Sequence, residues 1–95
     1  MVVGIGSMTF RLHGVFSLKE KRGIVKSMIA RIQNNFNVSV AEVGSNDNWE
    51  KAEIGFSMTG NDGRVINSKM DKVFNFAEEM GLAEMTDSGM EIINL

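Results

Sequence analysis

Cysteine and proline are both absent from the sequence, and His13 is the only histidine. Without cysteine the chain has no disulfide, no thiolate metal site and no cysteine nucleophile. A single histidine leaves little material for a protein-built transition-metal site. We therefore expect no cofactor and no metal, and the lack of cysteine is typical of a cytoplasmic protein.

Long apolar runs are also missing. The first ten residues, MVVGIGSMTF, have neither a basic segment nor an extended apolar stretch, so we expect no signal peptide and no membrane span. The chain has 95 residues, of which 43% are hydrophobic and 23% charged. These values predict one soluble domain spanning residues 1–95.

Acidic residues are scarce in the first third of the chain, although the net charge is −2. Glu20 is the only acid among residues 1–31, and the remaining 64 residues carry eleven acids against four basic residues. A globally acidic chain argues against binding nucleic acid over its whole surface, but a local basic patch is compatible with it. Six basic residues form the N-terminal excess: Arg11, Lys19, Lys21, Arg22, Lys26 and Arg31.

Alternation over residues 2–12 predicts a first strand, with Met8, Phe10 and Leu12 on its more apolar side. A helix is predicted over about residues 18–35. It begins with the capping box Ser17-x-x-Glu20, in which the serine accepts from the N3 amide and the glutamate reaches back to the cap amide.

The segments NVSVAEV and KAEIGFSMT are two further strands, joined as a hairpin by the chain-reversing stretch GSNDN. A second helix is expected from a cap at Asn61 or Asp62 to Gly81. The segment EIINL, with some residues before it, is a final strand.

The resulting order, βαββαβ, predicts an α+β, ferredoxin-like fold in which two helices cover one face of a four-stranded antiparallel sheet. Phe10 and Phe56 should then be buried against the helices. Val3, Ile5 and Thr9 should lie on the open face of the sheet.

The segments MVVGI, SLKEKR, FNVSVAEV, NDNW and DKVFNFAEE together resemble the YlxP-like family of small bacterial proteins of unknown function. The resemblance covers nearly the whole chain and implies a ferredoxin-like domain. Genes of this family often neighbour those of translation initiation and ribosome maturation, which implies a role linked to RNA or the ribosome. The family offers no catalytic residues to transfer. The segment AEMTDSGME departs from its pattern.

This topology places the start of the first helix, the hairpin turn and the end of the second helix at one end of the sheet. Lys19, Lys21 and Arg22 should lie there, beside the helix amides that favour an anion. A solvated salt-bridge cluster explains the same charges equally simply, since surface pairs are worth only about 0–1 kcal/mol. Asp47, Glu78 and Glu79 are the expected counter-charges.

Two other functions of this topology fit the sequence poorly. RNA-recognition motifs stack bases on aromatic residues of the central strands, but Phe10 and Phe56 have the parity of the helix-covered face. LHGVF superficially resembles the acylphosphatase phosphate loop, yet Leu18 stands where that loop needs an arginine. The fragment Gly4-Ile5-Gly6 lacks the third glycine of a dinucleotide site.

We therefore expect a non-enzymatic domain that binds RNA or a ribosomal component. Lys19, Lys21 and Arg22 are expected to contact phosphate, and Lys26 to extend the patch. His13 and Trp49 would flank it, although the residues taken singly favour a turn role for the histidine and a packing role for the tryptophan. The alternative is a protein-binding or ligand-sensing homodimer that uses the open sheet face.

Overall fold

Six elements follow one another in the order β, α, β, β, α, β. The computed structural model describes all residues from Met1 to Leu95. Neither helix is long and apolar enough to span a membrane. The elements are β1 (Val2–Arg11), α1 (Leu18–Asn35), β2 (Ser39–Gly44), β3 (Lys51–Gly60), α2 (Gly63–Glu79) and β4 (Glu84–Asn94).

The four strands form one sheet in the order β2-β3-β1-β4, and every neighbouring pair is antiparallel. This arrangement confirms the predicted ferredoxin-like fold. Strand β1 is central because it pairs with β3 along one side and with β4 along the other. Since β1 ends where α1 begins, the β2–β3 loop and the C-terminal end of α2 lie at that same end of the sheet.

The hydrophobic core lies between the sheet and the two helices, and it contains 17 buried residues. Phe10 and Phe56 belong to it, with 0% and 3% of their surface exposed. On the other parity of β1, Ile5 is 43% exposed, and Val3 and Thr9 are only partly covered. The predicted parity of the sheet is confirmed.

Gly4 and Gly6 lie on the helix-covered face of β1, where α2 approaches the sheet closely. A Cβ atom at Gly4 would stand 2.4 Å from Met70 Sδ, and one at Gly6 would stand 2.4 Å from the Phe56 ring. The absence of side chains lets the Phe56 ring lie across β1, where its centroid is 5.2 Å from that of Phe74. The Gly-Ile-Gly fragment is therefore a packing feature and not a dinucleotide motif.

The last strand is longer than EIINL with a short extension, since β4 begins at Glu84. It pairs with β1 over its whole length, with a register shift between Thr9 and Phe10. Thr86 lies at this shift, and its hydroxyl donates to the Thr9 carbonyl at 3.3 Å. The irregularity breaks the alternation of side chains that would have marked the strand in the sequence.

A glycine-to-alanine pair tests the packing beneath β1. Gly6→Ala should lower the free energy of unfolding by about 1–3 kcal/mol, because the new methyl group overlaps the buried Phe56 ring. Gly89→Ala is the matched control on β4, because its Cβ would meet only Ser7 Oγ at 3.5 Å. Urea unfolding of both variants measures the difference, and equal midpoints would contradict this account.

Candidate functional site

Two loops meet at the end of the sheet where α1 begins. The loop from Leu12 to Ser17 follows β1, and the loop from Ser45 to Glu50 joins β2 to β3. The backbone N–H of Leu12 donates to the Glu50 carbonyl at 2.8 Å, so the two loops are directly connected. We call these loops and the first turns of α1 the charged end.

Helix α1 begins with the predicted capping box, in a slightly shifted form. Ser17 Oγ accepts from the Glu20 backbone N–H at 3.2 Å. Glu20 Oε2 accepts from the N–H of Phe16 at 2.9 Å, one residue before the cap that we expected it to reach. The Glu20 carboxylate therefore lies at the positive end of the helix dipole and offsets part of the cost of nearby cations.

Lys21 does not project from the surface as a phosphate contact requires, because only 1% of the residue is exposed. Its ammonium lies 3.0 Å from Glu42 Oε2 on β2 and also donates to the Ser45 carbonyl. Glu42 Oε2 is buried and accepts no well-directed hydrogen bond, so charge attraction joins it to Lys21. Lys21 is thus a structural residue that ties α1 to the β2–β3 loop.

Ser45 has an unusual backbone conformation, and its carbonyl accepts a hydrogen bond from Lys21. Its φ angle of 57° places it in the left-handed region, which costs a non-glycine residue about 1 kcal/mol or more. The Ser45 carbonyl accepts from both Asn48 N–H, at 3.0 Å, and Lys21. Its hydroxyl donates to Glu53 Oε2 at 2.7 Å. These contacts fix the start of the loop that carries Trp49.

The remaining predicted cations, Lys19, Arg22 and Lys26, are all exposed. Their spacing of i, i+3 and i+7 puts them on one side of α1, and we call them the basic stripe. No carboxylate lies within 4.0 Å of any of them, since the ion pairs of the chain are His13–Glu84 and Lys21–Glu42. The counter-charges expected from Asp47, Glu78 and Glu79 therefore form no salt bridges with the stripe.

Gly23 follows Arg22 in α1, beside the basic stripe, and is exposed. A Cβ atom there would have nothing within 4 Å, and the residue does not have a positive φ angle. A glycine inside a helix costs roughly 0.5–1 kcal/mol relative to alanine. Neither packing nor backbone conformation within this chain explains it.

His13 lies at the charged end, in the loop after β1, with 63% of its side chain exposed. Its Nε2 atom is 2.8 Å from Glu84 Oε1 at the start of β4. Sequence spacing gave no carboxylate partner for His13, because the two residues are 71 positions apart. The pairing of β1 with β4 brings them together.

Two aromatic side chains are exposed at the charged end. Trp49 is 42% exposed and does not belong to the hydrophobic core, so the packing role that we considered for it is wrong. Phe16, which the sequence did not single out, is 76% exposed. Phe16 stands immediately before the cap residue of α1, where a hydrophobic side chain often packs on the helix. Sequence position would therefore have predicted a packed ring and gave no indication that this one is exposed.

Comparisons with known proteins agree with this fold. The family described as a protein of unknown function, DUF503, matches residues 3–90. The uncharacterized protein YlxP of Bacillus subtilis (strain 168) is 28% identical over 85 residues, covering 90% of this chain and 92% of the relative.

Two solved structures share the architecture. The de novo designed protein LFR1 1, with a ferredoxin fold, has a TM-score of 0.53 and 11% identity, covering 98% of this chain and 83% of the design. TA0507, provisionally assigned as a chlorite dismutase, has a TM-score of 0.52 and 16% identity. The match covers 99% of this chain but 45% of TA0507. At these identities the likeness shows the fold alone.

The buried Lys21–Glu42 pair gives a direct test of the structural role of Lys21. Lys21→Met should lower the free energy of unfolding by about 3 kcal/mol, because it leaves the Glu42 carboxylate without its cation. Chemical denaturation measures this loss. Lys19→Met, on the exposed side of the same helix, is the control and should change stability little.

A second substitution separates loss of the charge pair from loss of packing. Lys21→Met combined with Glu42→Leu should recover much of the stability, since apolar residues can replace a buried pair. A Lys21→Met variant as stable as the wild type would show that the ammonium is not buried as described.

Proposed function

The chain belongs to the DUF503 family of proteins of unknown function, and we propose that it is a non-enzymatic cytoplasmic domain that binds RNA or a ribosomal component through its charged end. The observation that carries this proposal is the basic stripe. Lys19, Arg22 and Lys26 are exposed, lie on one side of α1 and have no carboxylate partner within 4.0 Å. Such cations are free to bind phosphate.

The spacing of the stripe suits a ligand with several phosphates. Lys19 and Lys26 are separated by seven residues, or about 10 Å along the helix axis. Arg22 lies between them, and its planar guanidinium can hold two phosphate oxygens at once. A row of cations that follows a helix is better suited to an extended polyanion than to one small anion.

The position of Glu20 supports a particular location for the proposed phosphate contacts. Its carboxylate accepts from Phe16 N–H at the very start of α1, so an anion on the helix axis would be repelled. The phosphates are therefore assigned to the flank of α1, along the stripe. Exposed Gly23 leaves open space beside the stripe, and a residue without a side chain allows a close approach of the ligand backbone.

The open face of the sheet is less suited to RNA. RNA-recognition motifs need aromatic residues on the central strands, and here Phe10 and Phe56 are buried on the opposite face. The charged end, by contrast, combines cations with exposed aromatic residues. This contrast favours the charged end as the binding surface.

A second candidate function, a protein-binding or ligand-sensing homodimer, rests on the apolar side chains of the open face. Ile5 is 43% and Val43 is 62% exposed, and both line a shallow hollow over the sheet together with Ala41 and Gly55. Pairing through sheet edges is less favoured, because the edge strands β2 and β4 both carry register shifts that blunt such contacts.

The homodimer hypothesis makes a simple prediction. The wild-type protein should have the mass of a dimer in light scattering, and Ile5→Lys should convert it to a monomer by placing a charge in the apolar interface. Ser68→Lys, at an exposed position of α2 on the other side of the sheet, is the matched control for an added charge. A monomer mass at high micromolar concentration would eliminate this candidate.

The RNA-binding hypothesis predicts a salt dependence that the basic stripe sets. Replacing Lys19, Arg22 and Lys26 together with Gln should weaken RNA binding and flatten the log–log salt slope by about 2, since each phosphate neutralised on a single strand contributes about 0.7. The free energy of unfolding should stay unchanged or rise slightly, because Lys19 no longer opposes the helix dipole. Lys21 is kept, because replacing it would destabilise the protein through the loss of the buried pair with Glu42.

A control variant with the same change in net charge makes this result specific. Arg31, Lys69 and Lys72 are also exposed, and the two lysines line a different hollow, beside residues 35–38. Replacing these three with Gln should leave the salt slope nearly intact. A stripe variant whose slope matches that of the wild type would refute the proposal.

A further inference from the structure

We infer that the RNA bound at the charged end is single-stranded, with unpaired bases stacked on Phe16 and Trp49. This inference rests on the proposed function and names its substrate class. It assigns the phosphates to the basic stripe of α1 and the bases to the two exposed aromatic rings.

Phe16 has an exposed side chain on a backbone that is held by a hydrogen bond. Its side chain is 76% exposed, whereas the preceding residue, Val15, is buried in the core with 8% exposed. Its backbone N–H donates to Glu20 Oε2 at 2.9 Å, so the capping box holds its main chain. An apolar ring held in water by a rigid backbone gains free energy when a base covers it.

Trp49 is placed on a loop that is fixed at three points. Lys21 binds the Ser45 carbonyl, Leu12 N–H donates to Glu50, and Glu50 N–H donates to Asn48 Oδ1 at 2.9 Å. The loop from Ser45 to Glu50 nevertheless leaves the Trp49 ring 42% exposed, and these six residues line an open hollow. Hydrogen bonds thus hold the loop that presents the Trp49 side chain at the surface.

The hairpin loop is acidic, whereas the basic stripe of α1 is positively charged. This difference indicates that the phosphates of the RNA bind at the stripe and the bases at the loop. The hairpin loop carries Asp47 and Glu50 but no cation, so it repels phosphate. Carboxylate and amide groups can instead accept from or donate to the edges of an unpaired base. The stripe on α1 has the opposite character.

Double-stranded RNA does not offer the groups that this arrangement needs. In an A-form duplex the bases are stacked on one another and paired, and proteins contact mainly phosphates and 2′-hydroxyls. Phe16 and Trp49 would then stay exposed. Single-stranded segments allow bases to turn outward and stack on aromatic rings.

The chain contains a single tryptophan and no tyrosine, so intrinsic fluorescence reports on Trp49 alone. Oligouridylate of about ten nucleotides should quench this fluorescence on binding, whereas an RNA duplex with the same number of phosphates should bind more weakly and quench little. Phe16→Ala should weaken oligouridylate binding about fivefold or more, as expected for the loss of one base–aromatic stack. Because Phe16 is mostly exposed, the variant should fold normally, which circular dichroism checks.

Phe16→Leu is the matched control, because it keeps an apolar side chain without an aromatic ring. Its affinity should fall as that of Phe16→Ala does, and wild-type affinity would overturn the stacking role. Salt-dependent RNA binding without quenching, or equal binding of duplex, would overturn this inference and leave the proposed function standing. If neither RNA binds, the RNA-binding part of the proposed function fails and this inference fails with it.

Discussion

The geometry of the charged end depends on the contacts of the buried Lys21 ammonium with Glu42 and with the Ser45 carbonyl. Removing a lysine charge from water costs several kcal/mol unless the charge is paired, and here its partners come from β2 and from the loop that follows it. The start of α1 and the β2–β3 loop therefore take up their positions together. Ser45 keeps its left-handed backbone conformation in the same set of contacts, which include its hydroxyl hydrogen bond to Glu53.

Lys21 lies on the same inward side of α1 as the apolar residues that pack in the core. With Lys21, Val25, Met28 and Ile32 buried, the side of the helix that carries the basic stripe faces solvent. The loop that Lys21 fixes presents Trp49, and the capping box of the same helix presents Phe16. The buried ion pair and the capping box thus belong to the same end of the sheet as the exposed side chains of Phe16 and Trp49.

Much of this structure follows from the sequence, and the differences have identifiable causes. The bounds of α1 and the burial of Phe10 and Phe56 followed from periodicity and capping. Our prediction that Lys21 contacts phosphate was wrong, because the residue is buried. A signal for its burial was present and was not used: Lys21 precedes Val25 and Met28 at the spacing of the apolar face. The first part of β4 could not be predicted from the sequence, because an exposed edge strand with a bulge shows no alternation of apolar and polar residues. The His13–Glu84 contact depends on strand pairing and had no local signal.

The exposed face of α1 contains residues that lower the stability of the helix and make no compensating contact within this chain. Lys19 and Arg22 lie near the positive end of the dipole, where cations are unfavourable. Gly23 follows them, with open space around it and no requirement for its backbone freedom. The inward face of the same helix shows no such conflict, since even its lysine is paired. Unfavourable local choices that gather on one exposed face are expected where selection acts on binding and not on stability. The weakness of this helix surface therefore supports the proposal that a ligand binds there.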